Sequence, residues 1–324
     1  MHLNDLLLEP LKKLSYKTNF AKKKKWFDAN EVVLTPGIDP YQLIIESIKS
    51  PTPLMVARYG STELTCVLAY IFSNSDLSYF KKVIDYMKGE IPAFWFGYKN
   101  RNEICSNSGF FQNDKKLIIR FCKMMQEDIK ELDILLSWIN AEKYASPFLP
   151  AACKKISLWD IQPWFQETPW TMSLEGKKVL IIHPYAETIE KQYQNRKNIF
   201  PNKQILPDMD LKTLKAVQTI RNNKAPFETW FHALDYMKTA IEKIDFDIAL
   251  IGAGAYGLPL AAHIKRKGKQ SIHIGGSLQL YFGIIGSRWE QDPNFKALFN
   301  EHWVRPSPEE HPKDYKKGEG AVYW

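Results

Sequence analysis

Two hydrophobic periods run along this chain. Leu54 to Ala57 is a short apolar run that fits a buried strand, and the STELTCVLAYIF after it places Leu64, Val67, Leu68 and Ile71 at the spacing of one helix face. Upstream, Asp39-Pro40 predicts a helix to Ile48, with an N-cap followed by proline at the first position. Downstream, a helix is expected from about Leu77 to Lys88, closed by Gly89, and another over Asp114 to Glu131. Between them, Pro92 to Phe111 mixes aromatics with Gly, Asn and Ser and reads as a loop, a candidate lid or acceptor surface.

DILLSW and KKISLW read as short strands, and PWFQETPW (163 to 170) as the join between halves. From there the alternation is clearer. Strand KVLIIHP (178 to 184) precedes helix AETIEKQYQNRKNIF, and strand LKAVQTI (214 to 220) precedes helix FETWFHALDYMKTAIEKI. Strand DIALIG (247 to 252) precedes helix YGLPLAAHIKRKG, and SIHIGG (271 to 276) closes the series. Alternating strands and helices imply an α/β fold, a Rossmann-like, mostly parallel sheet with helices on both faces.

At 324 residues, 45% of them hydrophobic and 25% charged, the chain has the composition of an ordinary globular protein with a sizeable core. Residues 1–30 form a basic amphipathic arm and 31–324 a single α/β domain, with sub-lobes at 31–165 and 171–324. Seven lysines (12, 13, 17 and 22 to 25) against Asp5, Glu9 and Asp28 give residues 1–28 four of the eight net positive charges. Mixed with LLLEPLKKL, they suit either a solvated terminal arm or a peripheral contact with anionic lipid. No zinc-finger or helix-turn-helix signature accompanies them, so nucleic acid is not an expected partner. The apolar stretch Ile248 to Ala262 is too short and too broken by glycine and proline to span a bilayer, and no secretory signal is evident. Cys66, Cys105, Cys122 and Cys153 show no CxxC pairing and read as reduced thiols of a cytoplasmic protein, at most peripheral to the inner face of a membrane.

Candidate chemistry gathers at predicted strand ends. Arg58 follows the first strand, with Gly60 allowing close backbone approach, Ser61 as the expected N-cap and Glu63 in the first helical turn. That stretch reads equally as a capped helix beside a surface arginine or as a site for a charged ligand. IGAGAYG places Gly252, Gly254, Tyr256 and Gly257 in a formal G-x-G-x-x-G between strand and helix. The acid a dinucleotide needs about twenty residues on is missing, Ile272 and His273 standing there, and only 72 residues follow Gly252. An NAD(P)-dependent oxidoreductase is therefore the weakest reading, while phosphate approach to a helix N-terminus survives. His273, Gly275 and Gly276 end the next strand and are either ligand-facing or a turn. His183 with Glu187 is a candidate general base with its orienting partner, or a structural histidine beside a dipole-matching acid. Arg196 and Arg288 are the cations expected at a diphosphate, since an arginine fork matches phosphate oxygens. Asp235 reads as a structural carboxylate. No GxSxG, HExxH, P-loop or EF-hand pattern occurs.

Taken in order, these features resemble the GT-D fold glycosyltransferases, nucleotide-sugar enzymes of bacterial surface glycosylation. The family's R-[FY]-G-D-G-E strand end is matched by Arg58, Tyr59, Gly60 and Glu63. KVLIIHP, the helix with Arg196, APF at 225 to 227, LIGAGAYGLPLAAHIKRKG and GKQSIHIGG follow in the family's order, so the resemblance spans about residues 54 to 283. It implies transfer of a sugar from a nucleoside-diphosphate donor, a UDP-sugar above all, to a glycan or lipid-linked acceptor in surface polysaccharide or glycoprotein synthesis. It also implies a divalent metal, Mn2+ or Mg2+, held by a D-x-E pair. Here that pair reads Ser61-Thr62-Glu63, which leaves Glu63 as the candidate metal ligand and puts the metal in question, because serine poorly replaces a carboxylate toward a hard cation. The changed pair also keeps open a non-catalytic nucleotide- or glycan-binding protein. The stretch from Tyr281, including WVRP at 303 to 306, has no counterpart in the family pattern.

Overall fold

The computed structural model describes residues 3–17, 31–201, 203–219 and 226–311. Seven strands, β1 (Leu54–Ala57), β2 (Ile134–Ser137), β3 (Lys154–Ser157), β4 (Lys178–His183), β5 (Asp210–Lys215), β6 (Ile248–Ile251) and β7 (Gln270–His273), form one sheet in the order β3-β2-β1-β7-β6-β4-β5. Every pairing is parallel. The two halves of the chain are parts of this single sheet, joined where β1 pairs with β7 through Leu54↔Gln270 and Val56↔Ile272.

Among the described residues the α-helices are α1 (Leu3–Lys17), α2 (Pro40–Lys49), α3 (Ser61–Ser73), α4 (Tyr79–Lys88), α5 (Tyr98–Asn107), α6 (Lys115–Asp128), α7 (Ala186–Gln194), α8 (Arg196–Ile199), α9 (Trp230–Glu242), α10 (Gly257–Arg266), α11 (Ser287–Glu290) and α12 (Pro293–Lys296). Strand alternation distributes them. Met55, Ala57, Leu135, Ile182 and Ile251 point to one face and pack with α3, α6, α9 and α10. Leu54, Val56, Ile134, Ile181 and Leu250 point to the other and pack with α2 and α7. A parallel sheet covered on both faces needs apolar residues in both registers, which is why its central strands read as continuous apolar runs. No helix among the described residues is long and apolar enough to cross a membrane. The four cysteines are free thiols, three of them buried.

Two expectations are corrected. The strand expected at 214 to 220 is β5 at 210–215, because a half-buried edge strand is largely polar (DLKTLK) and its pattern resembles a surface loop. Its expected last residue, Ile220, lies outside the described residues. The loop expected over Pro92 to Phe111 contains α5, whose N-cap Gly97 offers no side chain. The cap comes from Asp5 of α1, which accepts from the Tyr98 N–H at 3.0 Å and from Trp95 Nε1 at 2.7 Å. No local pattern reveals a cap supplied from 93 residues away.

Candidate functional site

A crevice of about 460 Å³ opens at the carboxyl ends of the strands. β4 connects outward to β5 while its neighbour β6 connects back toward β7, so the chain diverges between two adjacent strands, and open α/β sheets bind ligands at such switch points. Arg58, Gly60, Ser61 and Glu63 line it from β1 and α3, and His183 from β4. Gly252 and Gly254 line it from β6, and His273, Gly275 and Gly276 from β7. Arg288 closes one side.

Arg58 is set in place before any ligand arrives. Its guanidinium lies 4.5 Å from the centroid of the Trp138 ring. Arg58 Nε, at 3.1 Å, and Trp138 Nε1, at 2.7 Å, both donate to the Tyr59 carbonyl. On the other side is Gly275, where an added Cβ would stand 3.1 Å from Arg58 Nη1. Gly275 also has φ +81° and ψ −153°, a conformation essentially reserved for glycine.

The other glycines of the crevice make the same kind of room. A Cβ on Gly252 would meet the His183 ring at 2.6 Å, and one on Gly60 the Glu63 carboxylate at 2.0 Å. Gly257 packs on the His273 ring and Tyr256 stacks on Trp230 in the core; neither lines the crevice. These glycines therefore pack the site's own side chains tightly, beyond any role in approaching a phosphate.

The helix N-termini differ in what they offer. α3 begins after Gly60, with Ser61 at its first position instead of at the expected N-cap, and it has no side-chain cap. Its first N–H groups meet the crevice beside Thr62, whose hydroxyl donates to Glu63 Oε2 at 2.9 Å and contacts the Ser108 hydroxyl. The N-terminus of α7 is occupied: the buried Glu310 carboxylate accepts from the Glu187 N–H at 2.9 Å and from the Thr188 backbone and hydroxyl. That contact gives one residue of the C-terminal stretch a defined role.

Besides Tyr256 and Gly257, two more expected site residues lie elsewhere. Glu187 is half-exposed and ion-paired with Lys215 at 2.8 Å, and it does not orient His183. Arg196, on α8, pairs with Asp208 and lies over the Tyr193 ring, outside the crevice. Thr62, Asn107, Ser108, Trp138, Tyr185, Gln218 and Gln279 line the site without having been anticipated; Trp138, Tyr185 and Gln218 follow strands whose neighbours are set only by the sheet order, and Asn107 and Ser108 end a helix the sequence pattern did not reveal.

The two histidines are complementary. His183 Nδ1 accepts from the Tyr185 N–H at 3.0 Å, which places the proton on Nε2 and makes that atom a donor. His273 Nδ1 lies 3.2 Å from the Ile251 carbonyl, which can only accept, so Nδ1 carries the proton and Nε2 the lone pair. Burial pushes both imidazoles down to about 3, the Arg58 charge adding to the effect at His273.

Both histidines are neutral in the fold, whereas the unfolded chain protonates them below about 6.5, so stability is lost as pH falls from about 6.5 toward 3. Glu142, which accepts from the Trp138 N–H, has the opposite sign. Burial raises it to about 7 from 4.5, so its contribution is lost as pH rises through that window. Burial also lowers His263 and His311, so the histidines outweigh the carboxyl and stability should rise with pH across this window. Thermal melts should therefore rise from about pH 5 to 6.5 and level above 7. His273→Gln, which removes one of the lowered histidines, should make the rise shallower; an unchanged slope in that variant would refute the assignment.

No family model, curated protein or solved structure matches the chain. Glu63 is the only carboxylate among the lining residues, and no group of three metal-ligating side chains occurs among the described residues. Mg2+ and Mn2+ favour several hard oxygen donors, so this side-chain set does not fit a cation held by the protein. Two arginines against one carboxylate, with an uncapped helix start, suit an anionic ligand.

Proposed function

We propose that this protein is a cytoplasmic glycosyltransferase that moves a sugar from a nucleoside-diphosphate donor, a UDP-sugar above all, to a glycan or lipid-linked acceptor. One observation carries the reading: Arg58 to Glu63, Gly252 to Gly254 and His273 to Gly276, far apart in sequence, meet in one crevice at the carboxyl edge of a parallel sheet. Those are three of the stretches on which the resemblance to GT-D enzymes rests; the helix with Arg196 is another, and it lies outside the crevice.

In this reading Arg58, Arg288 and the α3 N-terminus receive the diphosphate. As the acceptor oxygen bonds to the anomeric carbon, the bond from that carbon to the diphosphate oxygen breaks, and the electron pair leaves with the nucleoside diphosphate. Fixed donors stabilise charge developing there without reorganising. The acceptor hydroxyl's proton goes to Glu63. His183, donating through Nε2, orients the donor instead of acting as a base, since an imidazole held near 3 with its Nδ1 already accepting is poorly suited to take a proton.

The reading is tested by calorimetric titration with UDP and other nucleoside diphosphates, with and without manganese. Wild type is expected to bind, and Arg58→Ala to bind about ten- to a hundredfold more weakly, the worth of a charge-assisted contact. Failure of every nucleoside diphosphate to bind would exclude the proposal. Binding of NADH alone would return the G-x-G-x-x-G to a dinucleotide role.

A further inference from the structure

α1 is docked inside out. Its polar residues face the protein: Asn4 accepts from the Tyr79 hydroxyl at 2.9 Å and Asp5 caps α5. Lys12 lies 3.6 Å from the centroid of the Tyr86 ring, and Ser15 is buried. Leu8 alone of its leucines enters the small apolar cluster with Tyr86, Ile91, Phe94 and Trp95. Leu3, Leu6, Leu7, Leu11 and Leu14 are left between 51% and 64% exposed, and Phe80 on the adjoining α4 is 74% exposed.

At the helical 100° per residue, Leu3, Leu7, Leu11 and Leu14 fall within an arc of about 80°, with Leu6 beside it. Lys13 and Lys17, both exposed, run along its border. Polar contacts hold the inner face in place, so the leucines cannot turn inward without breaking the α5 cap. A contiguous apolar stripe of this kind marks a contact surface.

We infer that this leucine face of α1 lies flat on an anionic membrane surface, with Lys13 and Lys17 at the headgroups. Charge decides the occupant. The outward border is basic, and the sequence continues into Lys22 to Lys25, which suits anionic lipid. A twofold contact between two copies would bring two lysine-bordered stripes together and concentrate their positive charge, which disfavours a dimer. The docking is independent of the catalytic reading, and it also suits a lipid-linked acceptor. α5, capped by Asp5 at one end, reaches the crevice at Asn107 and Ser108 after ten residues, about 15 Å of helix.

The test is co-sedimentation of the full chain with vesicles of phosphatidylcholine alone or mixed with phosphatidylglycerol, with light scattering for self-association. Wild type should bind the anionic vesicles about tenfold or more tightly than the neutral ones, and lose that preference in high salt. Leu7→Glu with Leu11→Glu should abolish binding without lowering the melting temperature. Should that variant fail to fold, Lys13→Glu with Lys17→Glu, at exposed positions, carries the test and should remove the anionic preference. The proposal is overturned if wild type does not sediment with anionic vesicles, if these variants bind as wild type does, or if a dimer forms that the leucine substitutions dissolve.

Discussion

Glu63→Gln should lower the turnover of sugar transfer by about 10²- to 10⁴-fold, the worth of a positioned general base, while leaving nucleoside-diphosphate affinity within about threefold. The substitution keeps shape and an oxygen able to accept from Thr62, so the wall of the crevice stands. It removes the only carboxylate there, and with it the group assigned to take the acceptor's proton. Losing an anion beside two arginines should not weaken diphosphate binding. Separate measurement of kcat and of the dissociation constant for the nucleoside diphosphate checks both halves. A variant that turns over like wild type removes Glu63 from proton transfer. A wild type that binds nucleoside diphosphates yet neither hydrolyses nor transfers from any nucleotide sugar would make the protein a binding module, with the serine at position 61 marking the loss.

How much of this site the sequence reveals depends on distance along the chain. Strand ends announce themselves locally: an apolar run, then a cation or histidine, then glycine, then a helix. Arg58, His183, Gly252 and His273 were legible for that reason, and so was the parallel sheet behind them. Trp138, which fixes Arg58, was not, since it follows β2 and meets Arg58 only because β1 and β2 are neighbours. Arg196 and Glu187 failed in the opposite way. Both sit on helices following the right strand, but an ion pair with Asp208 and one with Lys215 hold them outside the crevice. The inward polar face of α1 was hidden too, because a helix with leucines and lysines reads as amphipathic whichever side the protein binds.

The glycines were legible as a pattern, though for a reason only partly right, and Gly257 distinguishes the two reasons. It has φ −59° and ψ −51° at the first position of α10, helical angles that alanine adopts at least as readily as glycine, by up to about 1 kcal/mol. Helix propensity alone therefore predicts that Gly257→Ala stabilises. A Cβ there would stand 2.0 Å from Cε1 and 2.3 Å from Nδ1 of His273, a buried ring on a central strand whose Nδ1–H is bonded to Ile251. The ring cannot retreat without giving up that hydrogen bond. Overpacking of a fixed ring costs about 1–3 kcal/mol, and with the hydrogen bond also at stake the steric effect outweighs propensity. We expect Gly257→Ala to destabilise by about 2 kcal/mol, a fall in melting temperature of about 3 °C in a chain of 324 residues. In a His273→Ala background the ring is gone and the sign should reverse, with Gly257→Ala neutral or stabilising. Denaturant unfolding of the four proteins in this cycle measures the coupling directly. A Gly257→Ala single variant as stable as wild type, or a loss that persists without the His273 ring, would show that the glycine is kept for its backbone and not for the histidine beside it.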